Sequence, residues 1–217
     1  MSTAMREVDD PVSAGPLTIG AVSAVLRDIL ANGLIRYSTI TRIGDVTVTV
    51  LSPERITIGA DEPNQINLFL YRVGPHSRLP QLRSTTPSPL ASAQPRKSLP
   101  LDLHYLVTAY GAHDFHTEIL LGCVVSLFNG IPVLTADAMN TLLKRSVTGR
   151  KNGATSPARD ALAKVQMPPG AKRLDIRQEF LSFDDMSKLW SVLQARYRPS
   201  VAYQVSAIDM PSEEIEP

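Results

Sequence analysis

The stretches INLFLYRV at residues 66–73 and LDLHYLVTAY at 101–110 carry apolar side chains at both parities of an extended chain. A strand whose odd and even positions are both apolar has two faces out of water, so both read as central strands of one sheet. Gly74-Pro75 and Gly111 close them. On one side of this pair, Val46, Val48 and Val50 alternate with Thr47 and Thr49, which predicts a half-exposed strand ended by Ser52-Pro53. On the other, Leu174, Ile176 and Phe180 mark a strand interrupted on that face by Gln178. Val201 to Ile208 forms the last, entered through the turn Tyr197-Arg198-Pro199-Ser200.

Helical spacing fills the intervals. After Thr18 as N-cap, Val22, Val25, Leu26, Ile29 and Leu30 fall on one helical face, and Gly33 supplies a stop. His113 to Phe128 is apolar almost all round and ends at Asn129-Gly130, which predicts a helix covered on more than one side. Ala136 to Leu143 reads as a short helix. Ser182 with Asp185 forms a capping box that opens a helix bearing Phe183, Met186, Leu189, Trp190 and Leu193 on one face. The element order predicts an α+β fold: a mixed, largely antiparallel sheet of about five strands with helices packed on it. There is no internal repeat.

The 217 residues are 43% hydrophobic and 20% charged with a formal net charge of +1, which excludes a disordered, collagen-like or disulfide-built chain and a uniformly basic nucleic-acid binder. No apolar run reaches the roughly 18 residues of a membrane-spanning helix. Cys123 is the single cysteine, and MSTAMREVDD at the N-terminus has neither the basic nor the apolar region of a secretory signal, so synthesis in a reducing cytoplasm is expected. Proline is abundant, with 17 residues. Six of these lie from Pro75 to Pro100, beside Arg78, Arg83, Arg96 and Lys97 and no acid, in a stretch that reads as a long loop of polyproline character. A second irregular stretch, 144–173, carries Lys144, Arg145, Arg150, Lys151, Arg159, Lys164, Lys172 and Arg173 against the one acid Asp160. The expected layout is a flexible segment over 1–17, one domain over 18–209 with these two loops, and an acidic tail over 210–217.

Catalytic patterns are sparse. His113 and His116, with Asp114 and Glu118 beside them, place two imidazoles and a carboxylate near the start of a helix, but HDFHTE is not the HExxH arrangement and supplies no fixed base. A metal-dependent hydrolase built on them is the enzymatic alternative. His104 sits mid-strand, where hydrogen bonding within the sheet is its ordinary role. Cys123 lies in the most apolar helix and reads as an inert core thiol. GRKNGATS at 149–156 lacks the GK[ST] ending and the preceding strand of a phosphate loop. The basic loops lack aromatic residues on which bases would stack. The residues therefore imply no enzyme, no cofactor, no metal, no membrane and no specific nucleic acid, and two basic arms suited to protein partners.

Four ordered blocks carry a resemblance. INLFLYRVGPH at 66–76, LPLDLHYLVTAYG at 99–111, EILLGCVVSLF at 118–128 and SKLWSVLQARYRPSVAYQVS at 187–206 resemble the tail-cap, or tail-terminator, family of extracellular contractile injection systems, the phage-tail-like particles of the antifeeding-prophage and virulence-cassette type. The closest block is the last, where Leu189-Trp190 precedes Tyr197-Arg198-Pro199-Ser200 and Tyr203. The resemblance implies a structural subunit that forms a ring, expected to be a hexamer, at the distal end of the inner tube and sheath of a particle released from the cell, ending tube growth and anchoring the last sheath layer. An adaptor linking tube to cargo or baseplate is the alternative from another class. The resemblance brings no catalytic residues. The candidate contact residues are Arg83, Arg96, Lys97, Arg150 and Lys151 on the two loops, and Arg198 in the turn, since arginine is enriched at interfaces.

Overall fold

The computed structural model describes residues 12–13, 17–37, 43–56, 58–59, 62–76, 98–148, 161–162, 165–166 and 173–211. The chain starts with a two-residue strand, β1 (Val12–Ser13), and a helix, α1 (Thr18–Leu34). Then come β2 (Thr47–Thr49), a single 3₁₀ turn over Pro53–Arg55, β3 (Gln65–Pro75) and β4 (Ser98–Tyr110). The second half continues with α2 (His116–Gly130), β5 (Val133–Leu134), α3 (Ala136–Thr148), β6 (Val165–Gln166), β7 (Leu174–Glu179), α4 (Phe183–Val192) and β8 (Ser200–Pro211).

Six strands form the main sheet in the order β2-β3-β4-β8-β7-β5, one more than the sequence predicts. The extra strand is β5, whose two residues are too short to show any periodicity. β2 pairs with β3 in parallel, and every other pair in this sheet is antiparallel. The two inner strands are β4 and its partner β8, and β4 is buried at every position from Leu101 to Tyr110, as its two apolar parities predict. β3 is buried only over its first half; Arg72 and Val73 reach solvent. A separate parallel pairing joins β1 to β6, with Val12 opposite Val165.

One face of the sheet packs under α1 and α2, and α3 packs against α1. Leu103, Tyr105, Val107 and Ala109 of β4 meet Ile66 and Leu68 of β3, Tyr203 and Val205 of β8 and the predicted stripe Val22, Val25, Leu26, Ile29 and Leu30 of α1 in one cluster. Each such aliphatic side chain stabilises the fold by about 1.5–3 kcal/mol on burial. Leu106, Tyr110 and Ala202 alternate onto the opposite face and are buried there.

Several boundaries differ from the sequence reading for identifiable reasons. Thr18 is the first helical residue and Leu17 occupies the cap position, without a side-chain cap bond. Gly33 does not stop α1, which runs one residue further. A Cβ there would lie 2.5 Å from Cδ2 of Leu127, so this glycine makes room for α2. α2 buries one wide face, with Leu120, Cys123, Val124 and Phe128 covered and Glu118, Gly122 and Ser126 in solvent, so the expected cover on more than one side is not found. α3 extends to Thr148, five residues into the stretch expected to be irregular. Its last turn is held by Arg145, which donates from Nη2 and Nε to Oδ2 of the buried Asp28 at 2.7 and 3.0 Å. Arg145 therefore joins α3 to α1 and is not a loop cation. β7 ends at Glu179, leaving Phe180 outside it. The predicted cap of α4 is present: Ser182 Oγ accepts from the Asp185 amide at 3.1 Å.

Two predictions follow from the packing. A Cβ on Gly111 would lie 2.8 Å from the amide nitrogen of Thr117, against backbone that cannot swing aside. Gly111→Ala should therefore cost about 1–3 kcal/mol in a urea titration by displacing the start of α2 from the end of β4. Burial pushes the Tyr110 and Tyr203 hydroxyls up to about 12, and raises Tyr105 as well. The native state thus keeps protons that the unfolded chain releases near pH 10. Stability is fully present below about pH 10 and is lost as pH rises towards 12. Tyrosinate absorbance and circular dichroism should change together in that window; ionisation of these tyrosines at their ordinary value within an intact fold would contradict the burial.

Candidate assembly surfaces

The described residues contain two buried carboxylate–imidazole pairs on the sheet face turned away from α1, built by β3, β4, β7 and β8. Asp102 Oδ1 lies 2.7 Å from Nδ1 of His76, just after β3, and Asp102 Oδ2 accepts from Gln204 Nε2 at 2.8 Å. Further along the sheet, Glu179 Oε2 accepts from Tyr71 OH at 2.9 Å and lies 2.8 Å from Nδ1 of His104. Burial and the adjacent Glu179 carboxylate raise the Tyr71 hydroxyl above its ordinary value. These polar groups tie four strands together, because a buried carboxylate must find donors or lose several kcal/mol of hydration. His104 does hydrogen-bond within the sheet, as expected for a mid-strand histidine.

The histidines near α2 serve structure. His116 Nδ1 lies 2.8 Å from Oδ1 of Asn64, which also accepts from the Ala112 amide at 3.0 Å, and the His113 and His116 rings meet edge-on at 5.2 Å. Among the described residues no group of three or more His, Cys, Asp or Glu is placed to hold a metal, so His113, His116 and Glu118 do not form one ligand set. Cys123 is buried, and burial pushes its thiol up, which suppresses the reactive thiolate. Among the described residues no helix is long and apolar enough to cross a membrane.

Arg83, Arg96, Lys97, Arg150 and Lys151 lie outside the described residues. Arg198 lies within them. Its Nη2 donates to Oε2 of Glu62 at 2.6 Å, and its guanidinium sits 5.7 Å above the Tyr110 ring. Glu62 is mostly buried, and its Oε1 has no hydrogen-bond partner among the described residues. Trp190 is buried edge-to-face on Tyr197 at 5.9 Å, and Pro199 immediately precedes β8, so this turn is architecture as its sequence suggests.

Sequence reasoning missed a set of exposed aromatics. Phe115, Phe180 and Phe183 sit in core-patterned stretches, yet they are 74%, 91% and 84% exposed, and Tyr197 is 56% exposed. Phe180 follows the last paired residue of β7, and Phe183 occupies the first turn of α4, so neither lies on the covered face of its element among the described residues. Phe115 takes a left-handed backbone, φ 67°, at the cap of α2, a conformation that costs a non-glycine residue energy and turns the ring outward. The positional signal was available only for Phe183, which directly follows the capping serine.

Residues 21–217 match the family model of the Pvc16 N-terminal domain.

The chain belongs to the Pvc16 N-terminal domain family.

This Pvc16-family chain is similar in fold to the sheath/tube terminator of an extracellular contractile injection system, solved in the extended state, at a TM-score of 0.52 and 16% sequence identity over 90% of the present chain. It spans 57% of that protein's length. The tube-terminating cap of the anti-feeding prophage is a second match, with a TM-score of 0.48, 13% identity, and coverage of 91% of this chain and 55% of that one. No curated protein matches in sequence.

Arg198 offers a clean test of architecture against interface. Arg198→Ala strips the partner from a mostly buried carboxylate and should lower the unfolding free energy by about 2 kcal/mol in urea titrations, with Arg198→Lys recovering part of it. An unchanged midpoint would move Arg198 to the list of surface contacts.

Proposed function

We propose that this chain is a cap, or tail-terminator, subunit of a contractile phage-tail-like particle. It forms a ring-shaped homo-oligomer, a hexamer in this reading, on the distal end of the inner tube and sheath. There it ends tube growth and anchors the last sheath layer. The chain is made in the bacterial cytoplasm and becomes part of a particle that acts outside the cell. Its role is structural and involves no catalysis.

The observation that carries the reading is family membership over residues 21–217, supported by a fold shared with a sheath/tube terminator. The architecture suits the task. A ring subunit needs a rigid body with projecting segments, and here a sheet with a two-sided central strand is such a body. The Asp102–His76 pair ties the end of β3 to β4, and the Glu179–His104 pair ties β7 to β4.

The reading is tested by electron microscopy of particles from a strain lacking the gene. Tubes and sheaths of irregular length, many of them overlong, are expected, and supplying the gene in trans should restore uniform lengths. Particles of normal, uniform length without this subunit would refute it.

A further inference from the structure

Helix α4 is weakly anchored. Its one buried residue is Trp190, while Phe183 and Val192 are exposed. Among the described residues α4 runs close along no other helix or strand, whereas α1 and α2 lie on the sheet. The Tyr71 hydroxyl of β3 is raised by burial, then by Glu179 and, most weakly, by the Asp185 carboxylate of α4. Trp190 lies against Tyr197, and Arg198 beside it sits above Tyr110. The helix therefore lies over the sheet face turned away from α1. Contact with that face is incomplete, because Met186 lines a groove of about 450 Å³ together with Leu181, Val201 and Ala202, and helix and sheet are not close-packed there.

The polar bonds of α4 are its own. Ser182 caps Asp185, Lys188 Nζ donates to Asp184 at 2.6 Å, and Ser191 Oγ donates to the Ser187 carbonyl at 2.8 Å. Among the described residues no side-chain hydrogen bond joins the helix to the sheet. Two features oppose its seating. The indole Nε1 of Trp190 is buried without a hydrogen-bond partner among the described residues, so it loses hydration that it would regain on leaving. Gln194, directly after the last turn, takes a left-handed backbone, φ 51°, where a helix end ordinarily places glycine. Beyond this joint, Arg198 is fixed by Glu62 and Ser200 opens β8, so the chain on that side is held to the body independently of α4.

We propose that α4 is a lid that leaves the sheet face as a unit, on joints at 180–182 and 193–197, while the sheet and the other helices stay folded. Its seat depends on one aromatic side chain, and an unsatisfied donor and a left-handed glutamine both favour release. Opening uncovers Ala202 and brings Trp190 and Met186 into solvent. This motion belongs to the single chain and is independent of the cap reading.

Trp190 is the only tryptophan, so its emission reports on α4 alone. In a urea titration of the full chain, the emission should move to the red and become open to acrylamide quenching before the far-ultraviolet circular dichroism of the body is lost. Hydrogen exchange gives a second readout. A helix of 10 residues that leaves its packing surface is not stable by itself, so opening exposes its amides. Those of Lys188 to Val192 should exchange about a hundredfold faster or more than those of Leu103 to Val107 in β4. Trp190→Ala should strip the remaining protection from α4 while the β4 amides stay protected. Coincident fluorescence and circular dichroism transitions, equal exchange in α4 and β4, or loss of β4 protection together with that of α4 in the variant overturns the lid.

Discussion

The burial of β4 on both faces is the constraint on which the rest of the structure depends. From Leu101 to Tyr110 every residue is out of water, with Leu103, Tyr105, Val107 and Ala109 beneath the helices and Asp102, His104, Leu106 and Thr108 on the other side. A strand of this kind is stable only with a neighbour on each edge and a layer on each face. β3 and β8 supply the edges. α1 and α2 supply one layer, and the polar groups of the second face become satisfiable only because β3, β7 and β8 bring partners to them.

That second face explains why a strongly apolar strand contains Asp102, His104 and Thr108. Each is buried, and each finds a partner across the sheet: Asp102 with His76 and Gln204, His104 with Glu179, Thr108 with Ser200 at 3.0 Å. Hydrogen bonds of this type add little net energy, but an unmatched register would leave the groups unpaired at a cost of about 1–3 kcal/mol each. They therefore select one register for the long antiparallel ladder. The same logic applies to Asn64, whose amide donates to the Ile43 carbonyl while its Oδ1 holds the entry to α2, and to Asp28, whose burial is acceptable because Arg145 reaches it.

The two ends of the sheet differ in chemistry because different elements turn there. The end with Gly111, Phe180 and Tyr197 is formed by short connections that leave Phe115, Phe180 and Phe183 exposed. The end with Pro75 and Ser98 carries the long, basic, proline-rich connection. A near-neutral total charge conceals uneven distribution, since the net +1 is a sum over basic stretches at 77–97 and 144–173 and an excess of acids elsewhere. At 16% identity to the terminator of a contractile injection system, the fold persists through its patterning: the alternation of strands and the helical stripes tolerate exchange of one apolar side chain for another.

The sequence by itself determined the α+β class, the five longer strands, the four longer helices among the described residues, the central position of β4, the architectural place of Trp190 and Pro199, and a family resemblance confirmed over residues 21–217. All of these are recorded in local periodicity, caps and ordered blocks, which are properties of neighbouring residues. Only the tertiary structure decided that β5 joins the sheet, that Arg145 is an ion-pair partner of Asp28, that Gly33 makes room for Leu127, and that Phe115, Phe180 and Phe183 face solvent. Those outcomes depend on which distant residue arrives next to each one. A phenylalanine in an apolar pattern is buried only where another element covers it, and periodicity along the chain carries no record of that cover.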